Sequence, residues 1–196
     1  MHSGKIIALE GIDGSGKTTQ ALLIKDALEK KGYKVALCHI PTNTVLGGIL
    51  KDVLRRKIKM SPKAQALLFT ADRIEEYENK IKPLLKKGYY VISERYTLAS
   101  LIYQTMQGVQ AELILDLIEH IPRPDYKIIL DISAQEALRR IKKRDSPRQP
   151  NEYFIPLKKA RNKYLKLGRF FKYNIINGKQ DRLKIRNEIL KIIINK

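Results

Sequence analysis

The chain has 196 residues, 43% apolar and 30% charged, with a single cysteine, Cys38; this suits one globular domain with a sizeable core and excludes an intramolecular disulfide. Lys and Arg outnumber Asp and Glu by 39 to 20, a net charge of +19, so a polyanionic ligand is expected. No apolar run approaches the ~20 residues of a membrane span, and His2, His39 and His120 are too scattered for a zinc site, so the composition reads as that of a cytoplasmic protein without a membrane partner.

The chain opens on KIIALE (residues 5–10), a short apolar run that reads as a strand. Similar runs follow at 33–38, 89–93, 126–132 and 172–176. They are apolar on both faces, as strands buried in a parallel sheet are. Helical patterns lie between them at 17–31, 47–57, 62–87, 98–120, 134–143 and 156–168, and a last one spans 181–194. Ser61-Pro62 marks a helix start, with a side-chain cap followed by a residue that needs no amide donor. There is no repeat and no Gly/Ser- or Pro-rich linker. Strand–helix alternation of this kind predicts a doubly wound α/β fold, a parallel five-stranded sheet with helices on both faces. Ligands in such sheets sit beyond the carboxyl ends of the strands.

The first strand runs into GIDGSGKT (11–18), which fits G-x-x-x-x-G-K-[ST] and opens a helix. Gly11, Ile12, Asp13, Gly14, Ser15, Gly16, Lys17, Thr18 and Thr19 are therefore the expected phosphate cradle of ATP. Lys17 would reach the β- and γ-phosphates, and Thr18 would hold Mg²⁺. A guanine-reading Asn-Lys-x-Asp is absent, which argues against a GTPase. A motor ATPase usually ends a hydrophobic strand in adjacent acids, whereas KIILDI offers Asp131 alone. Asp13 is unusual in a phosphate cradle. Its charge calls for a compensating partner. It could orient metal-bound water or accept a hydrogen bond from a sugar hydroxyl on a second nucleotide.

With Glu10 preceding the loop, EGIDGSGKTTQ resembles the thymidylate kinases, and four further stretches match in order: LLFTADR (67–73), SERYTLASLIYQ (93–104), IPRPDYKIILDI (121–132) and RRIKKRDSPR (139–148). The resemblance covers nearly the whole chain. It implies one P-loop kinase domain over residues 1–196, with a mobile LID at about 139–153. It implies transfer of a phosphoryl group from ATP to dTMP with Mg²⁺, in a homodimer.

Phe69 and Arg73 are four apart on one predicted helix and so share a face, where a ring can stack on a base and a guanidinium can bind a base edge or phosphate. The resemblance assigns them to thymine and dTMP. Arg95 directly follows a strand, where a rigid forked donor suits a phosphoryl group in flight. Ser100, Tyr103 and Gln104 share a helix face. Resemblance sets Ser100 and Gln104 near the base and Tyr103 against the deoxyribose. Glu94 stands where the family usually has Asp, with a role near Mg²⁺ through water. Residues 39–48 carry His39 and Ile40 where the family has Arg and Glu, while Pro41, Thr44, Leu46 and Gly47 fit. Residues 174–180 sit where the family contacts adenine. Gly14 and Ser15 supply no charge on the donor side, so Arg144 and Arg148 are expected to do so, ahead of Arg140. The alternatives are another P-loop nucleoside or nucleotide kinase, and a basic ATP-regulated nucleic-acid-binding module. The second has only the net charge in its favour, without the interleaved aromatics of a single-strand groove.

Overall fold

A computed structural model describes residues 4–143 and 150–194. Five strands, β1 (Lys5–Glu10), β2 (Val35–His39), β3 (Tyr90–Glu94), β4 (Tyr126–Asp131) and β5 (Asn174–Asn177), form one sheet in the order β2-β3-β1-β4-β5. Every pairing is parallel, as the alternation of strand and helix predicted. The central strands are buried on both faces. On one side Ile7, Leu9, Ile92 and Leu130 pack with Ile24 and Leu28 of α1 (Lys17–Glu29) and with Ile189 and Ile193 of the last helix. On the other, Ile6, Ala8 and Val91 meet Tyr96 and Ile121, while Ile129 packs near Leu157 and Tyr164.

The register pairs Leu9 with Glu94, so β1 and β3 end side by side. The loop after β1 and the residues after β3 therefore share one rim of the sheet. After β2 comes α2 (Val45–Leu54), capped by the Thr44 side chain on the Gly47 N–H. Then α3 (Pro62–Glu76) begins as the sequence suggested, with Ser61 Oγ accepting from the Ala64 N–H at 3.3 Å.

Two long helical patterns are interrupted. The 62–87 pattern passes through a π turn at Tyr77–Ile81 before α4 (Lys82–Lys86). Pro83 lacks the N–H that a regular ladder needs there, and the widened turn re-phases the helix ahead of it. The 98–120 pattern divides into α5 (Thr97–Met106) and α6 (Ala111–Glu119). Gly108 takes a φ of +89°, and the Val109 N–H returns to the Gln104 carbonyl, closing α5 with a left-handed cap. Beyond β4 come α7 (Ala134–Ile141), a 3₁₀ turn at Pro150–Glu152, α8 (Phe154–Phe170) and, after β5, α9 (Arg182–Ile194).

Candidate active site

Residues 11–16 form a loop between β1 and α1. Gly11 has a φ of +136°, and a Cβ there would stand 2.6 Å from the Leu130 carbonyl oxygen, so only glycine fits. Lys17 is buried, and its Nζ donates to the Gly11 and Ile12 carbonyls at 2.9 Å each. Burial, with the Arg95 charge second, pulls its amine down to about 8. Ser15 Oγ is buried with no hydrogen-bond partner among the described residues. Thr18 and Thr19 lie exposed on the first turn of α1. Thr18 Oγ1 donates to Glu94 Oε2 at 2.7 Å. This pairing of a hydroxyl with a carboxylate fits a hard divalent cation that takes one or two protein oxygens and completes its shell with phosphate and water. Among the described residues no group of three or more His, Cys, Asp or Glu could hold a metal.

The partner that Asp13 called for is Arg95, whose Nη2 bonds Asp13 Oδ1. Arg95 follows β3 with a φ of +65°, a left-handed conformation that a non-glycine residue adopts only when its surroundings hold it there. Three bonds do so. Its N–H reaches the Leu9 carbonyl at 3.0 Å, while its own carbonyl accepts from Ser93 Oγ at 3.2 Å and from Arg73 Nη1 at 3.3 Å. The guanidinium lies over the Tyr103 ring, 5.2 Å from its centroid.

Asp13 and Arg95 also line a cleft with Phe69 and Arg73 from α3 and with Ser100, Tyr103 and Gln104 from α5. All seven residues expected around the acceptor nucleotide are thus brought together. Arg73 is buried, lies 5.2 Å over the Tyr96 ring, and approaches Ser100 Oγ at 3.5 Å. Arg73 Nε and Gln104 Oε1 are buried without a hydrogen-bond partner among the described residues, and the Tyr103 hydroxyl lies beside the Arg95 guanidinium. Burial raises the Tyr103 hydroxyl to about 12, so it is a neutral donor. Two unpaired polar atoms on residues lining one cleft suit a polar ligand, since buried polar groups are rarely left unpaired.

The divergent loop after β2 is tied to the same helix. Asp72, fully buried between Phe69 and Arg73, accepts from the Thr42 N–H at 2.9 Å and from the Thr42 and Thr44 hydroxyls. This holds Ile40 and Pro41 against the cleft, which Leu54, Gln107 and Asn151 complete. Sequence reading missed Asp72, although an acid inside an otherwise functional helix face was a usable signal. It also gave no role to Glu10, which is fully buried.

On the donor side, Arg140 Nε bonds Glu136 at 2.7 Å and its Nη2 bonds the Gly178 carbonyl at 2.9 Å. Its Nη1 would lie 3.8 Å from a Cβ on Gly16, so Arg140 stands beside the phosphate loop. Residues 174–180 approach the loop as well, a Cβ on Gly178 coming 3.4 Å from the Ser15 carbonyl oxygen. Arg144 and Arg148 lie outside the described residues. Asp131, the acid that a motor ATPase reading needed, is held two-point by Arg161 at 2.7 and 2.8 Å, and it is Glu94 that meets Thr18.

A family model described as thymidylate kinase matches residues 9–189. A probable thymidylate kinase of Thermococcus kodakarensis is 38% identical over 196 residues, covering 95% of this chain and 96% of that one. One from Pyrococcus abyssi is 38% identical, covering 97% and 96%. A third, from Archaeoglobus fulgidus, is 37% identical over 158 residues, 79% of each chain. No helix among the described residues is long and apolar enough to cross a membrane.

Proposed function

The chain belongs to the thymidylate kinase family, and we propose that it transfers the γ-phosphoryl group of ATP to dTMP, giving dTDP and ADP. The observation that carries this reading is the cleft in which Phe69, Arg73, Ser100, Tyr103 and Gln104 meet the Asp13–Arg95 pair at the edge of the phosphate loop. Donor and acceptor sites share that pair.

In this reading a dTMP phosphate oxygen attacks the γ-phosphorus as the bond to the ADP oxygen breaks, with no covalent enzyme intermediate. Lys17 leaves the Gly11 and Ile12 carbonyls for the β- and γ-phosphates, and backbone N–H groups from Gly11 to Thr19 cradle them. Arg95 supplies a forked donor to the group in transfer. Asp13 orients Arg95 and accepts from the deoxyribose hydroxyl. Phe69 stacks on thymine, Arg73, Ser100 and Gln104 read the base and phosphate, and the Tyr103 ring crowds a 2′-hydroxyl. Thr18 and, through water, Glu94 hold Mg²⁺, which neutralises phosphate charge when bound. Arg144 and Arg148 close over ATP from a LID at about 139–153, within one kinase domain over residues 1–196. The enzyme works as a cytoplasmic homodimer.

The test is ADP formation from ATP across the common monophosphates. dTMP is expected to rank first, and an equal or greater kcat/KM for AMP, GMP or CMP would overturn the reading.

A further inference from the structure

Glu10 is the last residue of β1 and the residue immediately before the phosphate loop. Its side chain is fully buried, and three donors surround it. Oε1 accepts from the Tyr96 N–H at 2.9 Å and the Ala99 N–H at 3.1 Å, while Oε2 accepts from the Tyr164 hydroxyl at 3.1 Å. Tyr96 is the N-cap of α5 and makes no side-chain cap of its own. Glu10 thus serves as that cap from across the sheet, where a negative charge also suits the positive end of the helix. Ser100 directly follows Ala99 on α5, and Tyr103 and Gln104 stand one turn further along.

The second arm leads to the same place. Tyr164 is buried on α8, the helix after the Pro150–Glu152 turn, and meets Tyr103 edge-to-face at 6.3 Å and 74°. Tyr103 in turn lies under the Arg95 guanidinium. A single carboxylate therefore joins the strand that carries the phosphate loop, the helix that lines the acceptor cleft, and, through Tyr164, the ring on which Arg95 rests. A buried network of this kind holds one geometry only when every member is satisfied, and an error of about 1 Å at the reacting groups can cost ~10²-fold in rate.

We propose that Glu10 and Tyr164 form a buried positioning pair that fixes α5 and the Tyr103–Arg95 stack against the phosphate loop, so that donor and acceptor sites keep their spacing. Neither residue lines the cleft. The pair acts through Arg95. The proposal rests on the phosphoryl transfer proposed above, not on which monophosphate is the acceptor.

Tyr164→Phe removes one hydroxyl and leaves the ring. Steady-state rates are taken with whichever monophosphate ranks first in the survey, so a mistaken acceptor does not affect this test. The expected result is a loss in kcat of about tenfold with KM for both substrates changed less than about twofold. In an Arg95→Ala background the same substitution is expected to cost less than about twofold, because the group it acts through is gone. Glu10→Gln can still hold the phenol from its amide nitrogen, and is expected to keep at least about a third of kcat. A Tyr164→Phe protein with lowered Tm but unchanged kcat would make the pair purely structural and overturn the proposal. So would losses that multiply in full in the Arg95→Ala background. If Tyr164→Phe does not fold, Glu10→Gln decides: a loss as deep as that of Arg95→Ala would mean that the carboxylate charge itself acts on the site, not its hydrogen bonds.

Discussion

The Asp13 carboxylate and the Arg95 guanidinium form an ion pair between the phosphate loop and the residue that follows β3. The acid in the loop is therefore not a charge set against the phosphates alone, because it is bonded to a cation that faces the acceptor cleft. In the role proposed for it, Arg95 meets charge that develops during transfer, so Arg95→Ala is expected to lower kcat by about 10²–10³, the cost of losing one preorganised donor. Asp13→Asn is expected to raise KM for dTMP and to lower kcat less, since Arg95 remains. Saturating both substrates separates the two effects. Asp13→Asn with unchanged dTMP kinetics and a weakened Mg²⁺ dependence would move Asp13 from the sugar to the metal.

The low Lys17 value gives a pH dependence with a definite sign. Burial, then the Arg95 charge, lowers the amine to about 8. Polyphosphate favours the charged amine, so ATP binding takes up a proton wherever Lys17 is neutral. Below pH 8 the amine is already charged and affinity is flat. Above it, ATP affinity is expected to fall by up to about tenfold per pH unit. Calorimetry in buffers of different ionisation enthalpy reads the proton uptake. Lys17→Arg stays charged throughout, so its affinity, weaker for the altered geometry, is expected to lose that slope. A pH-independent wild type would show that Lys17 is charged before ATP binds.

Asp72 gives the divergent loop its place. Asp72→Ala leaves the buried Thr42 N–H without its side-chain acceptor, while the Thr42 hydroxyl keeps only the exposed Thr44 hydroxyl as an acceptor, and an orphaned buried donor costs about 1–3 kcal/mol. A lower Tm is expected together with a raised KM for dTMP, because Ile40 and Pro41 lose their anchor to α3. A KM shift confined to ATP would disconnect the loop from the acceptor.

What could be read from the sequence was what is local. The phosphate loop, the α3 pair Phe69/Arg73 and the α5 face of Ser100, Tyr103 and Gln104 depend on spacings of a few residues, and the two helix faces reach the site by helical periodicity. The missing parts are long-range. Asp13 and Arg95 lie 82 positions apart, and Glu10 and Tyr164 lie 154 apart. No periodicity carries such pairings, which the parallel crossovers create. The division of residues 98–120 was legible in principle from Gly108, but apolar spacing on both sides of it suggested one helix.

A pocket of this kind should discriminate weakly for the thymine methyl. Phe69, Ile40, Pro41 and Leu54 offer apolar contact, and one methyl group in an apolar pocket is worth about 1–3 kcal/mol. dUMP is therefore expected to be accepted with a kcat/KM lower by about 10–200-fold. Competition between dTMP and dUMP in one reaction measures the ratio directly. Equal use of the two would remove the methyl from the recognised features.

The last prediction concerns the source of positive charge on the donor side. Gly14 and Ser15 provide none, and a phosphoryl group shared between two anions needs it. Arg140 stands beside the loop, but its guanidinium is already held by Glu136 and the Gly178 carbonyl. Those bonds join α7 to the turn after β5, which suits a residue that shapes the ATP site rather than one that follows the transferring group. Arg140→Ala is accordingly expected to raise KM for ATP, while Arg144→Ala and Arg148→Ala are expected to lower kcat with both substrates saturating. The dividing line is about tenfold, or ~1.4 kcal/mol of transition-state stabilisation. If neither Arg144→Ala nor Arg148→Ala crosses it while Arg140→Ala does, the cation is the one beside Gly16, and its bonds to Glu136 and Gly178 must break during turnover. If none of the three crosses it, Arg95 carries the transferring charge with Lys17 alone.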